Sequence, residues 1–123
     1  MDVNEVSGWV VSSAMKVHSA LGPGVLESAY EACMALDLRK QGLRVERQVP
    51  MPIVFDGTRI DLGYRMDLLV ERQVVVELKT APRILPIHEA QLLSYLRLGG
   101  FKIGLLLNFH IPRMKDGILR LAN

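Results

Sequence analysis

The chain has one cysteine, Cys33. No internal disulfide can form, and with no second cysteine near it a structural zinc site has no seed. No apolar run nears the roughly 18 residues that a membrane-spanning helix needs. The amino terminus, MDVNEVSGWV, has neither the basic region nor the apolar stretch of a secretory signal. A cytoplasmic protein that does not associate with membranes is expected. Charge of one sign is also scarce: 15 Lys and Arg stand against 13 Asp and Glu, a formal net of +2. That balance permits contact with phosphates, but no dense basic patch demands it. There is no internal repeat, linker or low-complexity tract to divide the chain.

What is there suffices for a core. The 123 residues, half of them hydrophobic and 23% charged, fit one compact domain over residues 1–123 and argue against disorder. Val6, Trp9, Val10, Met15, Val17 and Leu21 recur at spacings of three and four, which predicts a first helix from Val3 to Leu21, ended by Gly22-Pro23-Gly24. A second helix is predicted from Val25 to Gln41, partly burying Leu26, Ala29, Tyr30, Cys33, Met34, Leu36 and Leu38, with Gly42 as its stop. Beyond Gly42 the period changes to two. Val45, Val49, Met51, Ile53 and Phe55 lead to Asp56-Gly57, a hairpin signal, and Ile60, Leu62 and Tyr64 alternate in a return strand that enters 66-MDLLV-70.

A turn at Glu71-Arg72-Gln73 then leads into 74-VVVELK-79, apolar enough for a central strand buried on both faces. A third helix is predicted over 87-IHEAQLLSYLRLG-99 and a buried strand over 101-FKIGLLLNF-109; 117-GILRLAN-123 reads as an edge strand or a tail. The fold class is therefore α/β, a mixed sheet of about four main strands flanked by helices in the order α-α-β-β-β-α-β(-β). The strands at 74–79 and 102–109, joined through the third helix, can pair in parallel by a right-handed crossover.

Asp67 and Glu77 are the residues that apolar strands should not contain, because an unpartnered buried carboxylate is very costly. A turn at 71–73 sets Val70 opposite Val74 and Asp67 opposite Glu77, so the two acids face each other from neighbouring strands. Like charges so close call for a shared proton, a nearby base or a divalent metal. Lys79, two residues after Glu77, lies on the same face of its strand. Hard carboxylate oxygens suit Mg²⁺ or Mn²⁺. The purely structural alternative is a salt bridge between Lys79 and one acid. On the third helix, Gln91 and Tyr95 are i,i+4 neighbours with His88 three residues before Gln91; alone, such a polar stripe also fits a solvated face. Glu27 alone would fit a helix-dipole role in a first turn.

Taken together, Gly24-Val-Leu-Glu27-Ser-Ala-Tyr30, Tyr64-Arg65-Met66-Asp67, Glu77-Leu78-Lys79, and His88-Glu89-Ala90-Gln91 with Tyr95 resemble the GxxExxY family of the PD-(D/E)XK nuclease-like superfamily. The likeness runs from about Leu21 to the Asn108-Phe109 strand. It implies a restriction-endonuclease-like core and a Mg²⁺-dependent nuclease, with Mn²⁺ as a substitute and DNA as the expected nucleic acid. Carried over residue by residue, it implies that Asp67, Glu77 and the backbone carbonyl of Leu78 hold the metal, with Glu27 bound directly or through water. Lys79 would orient water or stabilise charge, Gln91 would position water or phosphate, and Tyr30, His88 and Tyr95 would support them. Met66 stands where the superfamily has proline.

The main alternative is a non-catalytic module that binds nucleic acid or a partner on the same fold. Arg39, Lys40, Arg44, Arg47, Arg59, Arg65, Arg72 and Arg83 are the candidate phosphate contacts. So little sits beyond the core that sequence specificity is not expected, which leaves structure-selective cutting, a homodimer that doubles the contact surface, or recruitment by a protein partner.

Overall fold

A computed structural model describes residues 1–123. Helix α1 runs from Val3 to Leu21; the Asp2 side chain caps its start by accepting from the Glu5 N–H at 2.9 Å. It stops at Gly22, whose φ of +71° suits a residue without a Cβ. Helix α2 spans Glu27–Lys40 and buries Tyr30, Glu31, Met34, Ala35 and Leu38, a stripe at spacings of three and four. It is two residues shorter at its start than the pattern suggests. Leu26 and Leu36 are exposed rather than partly buried, and Trp9 and Met15 on α1 are exposed as well. The period is satisfied without them.

The 45–64 region differs most from expectation. Strand β1 (Val45–Pro50) ends at Pro50, and Pro52 keeps the chain from resuming the same ladder. Strands β2 (Ile53–Phe55) and β3 (Thr58–Ile60) then pair only with each other around Asp56-Gly57, as a two-stranded hairpin apart from the main sheet. Residues 61–64 are not strand, so the return strand ends at Ile60 and β4 (Arg65–Val70) is a separate element.

The main sheet has five strands in the order β1-β4-β5-β6-β7, where β5 is Val74–Lys79, β6 is Ile103–Asn108 and β7 is Ile118–Ala122. The carboxy-terminal segment is thus the edge strand of the two options. β5 and β6 pair in parallel, from Val74 opposite Ile103 to Lys79 opposite Asn108, and helix α3 (Pro86–Gly99) makes the crossover. Every other neighbour in this sheet is antiparallel. The expected mixed α/β core is what the chain adopts.

Two cores sandwich the sheet. Val74, Val76, Leu78, Leu105 and Leu107 pack with Val6, Val10, Tyr30, Met34 and Leu38 of α1 and α2; Val75 and Leu106 pack with Leu92, Tyr95 and Leu96 of α3. The alternation is that of a strand buried on both faces. No helix is long and apolar enough to cross a membrane.

Two glycines test this packing with opposite signs. A Cβ on buried Gly104 would meet Leu92 side-chain atoms at 2.9 to 3.1 Å, where α3 lies on β6. Gly104→Ala should cost about 1–3 kcal/mol in urea denaturation. Exposed Gly8, inside α1, has nothing within 4 Å of that position. Gly8→Ala should stabilise by about 0.5–1 kcal/mol, and a loss there would contradict the helix assignment.

Candidate active site

The connection between β4 and β5 sets the geometry. Glu71 and Arg72 turn the chain with φ of +53° and +51°, and the ladder starts at Val70 opposite Val74 and runs to Leu68 opposite Val76. The next rung is made by side chains. The Asp67 N–H donates to Glu77 Oε2 at 2.7 Å, and the Leu78 N–H donates to Asp67 Oδ2 at 2.8 Å. Each carboxylate takes a backbone donor of the other acid's strand, so the two strands stay joined where their carbonyls no longer reach.

Burial and mutual repulsion make these acids weak. Glu77, 4% exposed, is pushed up to about 8, first by burial and then by the charge of Asp67, against the Asp67 N–H and the Lys79 ammonium. Asp67 is raised chiefly by burial and also by the charge of Glu31, opposed by the Leu78 N–H. Glu27, the first residue of α2, is raised by burial and then by Asp67. Lys79 offsets part of the charge on all three acids. It forms no salt bridge with any of them, so the structural ion-pair alternative is not what the chain builds.

The remaining candidates fall into two groups. Glu27 and Asp67 line one cleft of about 250 Å³ with Ser28, Glu31, Gln48 and Leu78. Tyr30 stands behind it: its hydroxyl donates to the Gly22 carbonyl and accepts from the Val25 N–H at 3.2 Å, while its ring stacks on Phe109 at 4.2 Å. This ties the Gly-Pro-Gly turn to α2 and fixes where the helix carrying Glu27 begins. On the opposite face of the sheet, Gln91 donates to the Tyr95 hydroxyl at 3.0 Å, and the Tyr95 hydroxyl is raised by burial and by the charge of Glu77. His88 is spent on the start of α3, where its Nδ1 accepts from the Leu85 N–H at 3.0 Å.

Three residues that the sequence reading passed over belong here. Glu31, 6% exposed, accepts from Arg47 and Gln48, and Gln48 also reaches Asp67. Glu31 was in principle findable, being four residues after Glu27 and on the same helical face. Asn108, opposite Lys79, holds the loop after β5 by accepting from the Ala81 N–H and donating to its carbonyl.

No three Asp, Glu, His or Cys side chains converge tightly enough to cage an ion alone. The donor chemistry nevertheless fits a hard cation of the Mg²⁺ type, which takes one or two carboxylates and keeps several waters. Asp67, Glu77 and the Leu78 carbonyl supply such oxygens, and no thiolate or imidazole is present to favour zinc.

A family model described as the PD-(D/E)XK nuclease superfamily matches residues 4–121, a span that holds every residue of this site. No curated protein and no solved structure gives a match.

The raised acids give a pH dependence of definite sign. The folded chain keeps a proton on Glu77 up to about 8, whereas the unfolded chain releases it near 4.5. Stability from that proton is full below the lower value and is lost as pH rises through the higher one; Asp67 and Glu27 act in the same sense. The thermal midpoint of the metal-free protein should therefore fall between about pH 5 and about pH 9. Glu77→Gln should flatten that fall, and an unchanged slope in the variant would exclude Glu77 as its source.

Proposed function

The chain belongs to the PD-(D/E)XK nuclease superfamily, and from that premise we propose that it is a Mg²⁺-dependent nuclease that hydrolyses phosphodiester bonds in DNA, with Mn²⁺ as a substitute. One observation carries the reading: two carboxylates, buried Glu77 and half-buried Asp67, interlock across β4 and β5 beside a lysine that forms no salt bridge. A protein needing only stability would fill those positions more cheaply with apolar side chains. The finer placement in the GxxExxY family rests on Gly24, Glu27 and Tyr30 at the start of α2.

Asp67, Glu77 and the Leu78 carbonyl would hold the metal, and Glu27 would complete the set directly or through water. When bound, a divalent cation polarises the scissile phosphate and acidifies a water. Lys79 keeps its ammonium donors for that water or for the developing charge on phosphorus. Glu77, pushed up to about 8 by burial and by Asp67, would have to be in its carboxylate form to serve as a ligand. Gln91, fixed by Tyr95, positions water or phosphate from the α3 side. Tyr30 and His88 act through the backbone they hold. The single free cysteine, Cys33, accords with the reducing cytoplasm as the compartment.

The test compares wild type with Lys79→Ala and Asp67→Asn on supercoiled, linear and single-stranded DNA and on RNA, with Mg²⁺, Mn²⁺ or chelator. Metal-dependent cutting of DNA is expected, and each variant should lose at least about 100-fold. A wild type that binds DNA without cutting would replace the nuclease by a binding module. Independently of turnover, millimolar Mg²⁺ should raise the thermal midpoint of the wild type and leave that of Glu77→Ala unmoved.

A further inference from the structure

Opposite Asp67 in the β1–β4 ladder stands Gln48, and that pair alone is missing from an otherwise regular register: Arg47 faces Leu68 and Val49 faces Met66, with nothing paired between. Gln48 has a φ of +52°, a left-handed conformation that costs a side chain with a Cβ roughly 1–2 kcal/mol. The effect on the sheet is visible in the packing. Val45 joins the core under α1 and α2 whereas Val49 packs on the α3 side; likewise Leu68 joins the first core and Met66 the second. Residues of one parity thus lie on opposite faces, so both strands slip phase at the same rung, where Gln48 and Asp67 sit.

The side chain of Gln48 shows what accompanies the slip. Its Nε2 donates to Glu31 Oε1 at 2.6 Å and to Asp67 Oδ1 at 3.3 Å. Glu31 offers only acceptors, so the amide must turn its nitrogen inward, and its second N–H then faces Asp67. Arg47 fixes Glu31 from the other side, with Nε and Nη2 on Oε2 at 3.2 and 3.0 Å. With the Leu78 N–H on Oδ2, the Asp67 carboxylate is held at both oxygens.

We propose that Gln48 is a positioning residue for Asp67. The relay Arg47–Glu31–Gln48 sets the rotation of the carboxylate in the cleft, and the strained backbone at Gln48 is the device that brings the amide to it. The assignment rests on Asp67 being a metal ligand, and it concerns orientation rather than contact with substrate. A backbone outlier at a candidate site, over-determined by its surroundings, is the observation from which such a role is inferred.

Gln48→Gly separates positioning from structure, since glycine adopts the left-handed conformation freely and removes only the amide. Binding of Mn²⁺ to the whole chain, by calorimetry or electron paramagnetic resonance, should weaken by roughly 10-fold in this variant, while its metal-free thermal midpoint stays at or above wild type. In the metal-free wild type, the Gln48 side-chain amide resonances should shift in Asp67→Asn. Wild-type affinity for Mn²⁺ in Gln48→Gly would overturn the proposal, as would a loss of affinity that merely tracks a fall in midpoint. A wild type that binds no Mn²⁺, although its Gln48 amide still responds to Asp67→Asn, would place the failure in the metal-site reading itself and take the positioning role down with it.

Discussion

Everything near the candidate site depends on two hydrogen bonds in which carboxylates do the work of carbonyls. An ordinary antiparallel ladder would satisfy such peptide groups with carbonyls of the neighbouring strand. Here the peptide N–H of Asp67 is satisfied by Glu77 and that of Leu78 by Asp67, so the strands can diverge without orphaning a buried donor. The same exchange pins both acids. Neither can rotate away without exposing a backbone N–H to an apolar surrounding, which is why two mutually repelling groups persist inside the sheet. Burial, and after it that repulsion, surfaces as protonation, with Glu77 pushed up to about 8.

The rest of the fold holds this rung still. β5 is buried along nearly its whole length because α1 and α2 cover one face and α3 the other, and its parallel pairing with β6 extends to Lys79 opposite Asn108. Asn108 then ties down the Ala81 peptide just beyond Lys79. From the other side, Tyr30 locks the Gly-Pro-Gly turn and so the first turn of α2, where Glu27 enters. Acids and lysine are thus mounted on regular elements, the condition under which a site keeps its geometry.

How far the sequence spoke for itself varied with the range of the forces involved. α1 was legible to its ends because its signals are local: apolar spacing from Val3 and the stop at Gly22-Pro23-Gly24. The register of β4 on β5 followed from the turn and from the apolar run 74–78, so the facing of Asp67 and Glu77 could be read as well. The region 45–64 was not legible as one meander, since its alternation continues past Pro50 and Pro52 while the hydrogen-bond ladder does not. Leu26 and Leu36 look like core residues by hydropathy, yet the stripe of Tyr30, Met34 and Leu38 already fills the space beneath α2. Glu31 and Gln48 were overlooked for different reasons. Glu31 sat in plain view at helical spacing, whereas Gln48 owes its place to a left-handed backbone that no residue type at that position announces.

The arginines give the last step, because structure spends most of them. Arg47 is committed to Glu31, Arg72 and Arg44 to Glu46, Arg65 to Asp61, and Arg39 to the Val45 carbonyl. Of the eight cations that could have met phosphates, Lys40, Arg59 and Arg83 form neither a salt bridge nor, like Arg39, a side-chain hydrogen bond. For the nuclease proposed, affinity through counterion release would scale with the number of phosphates neutralised, and these three would act with Lys79, Arg97, Lys102 and Lys115, which form no salt bridge either. Base edges, moreover, need a helix or ribbon shaped to a groove, and the small hairpin β2–β3 is the sole appendage outside the layered core. On the proposed reading, a site mounted this firmly with so little beside it to enter a groove would suit chemistry at a phosphate better than recognition of a sequence, and selectivity would rest on the form of the nucleic acid or on a second protein surface.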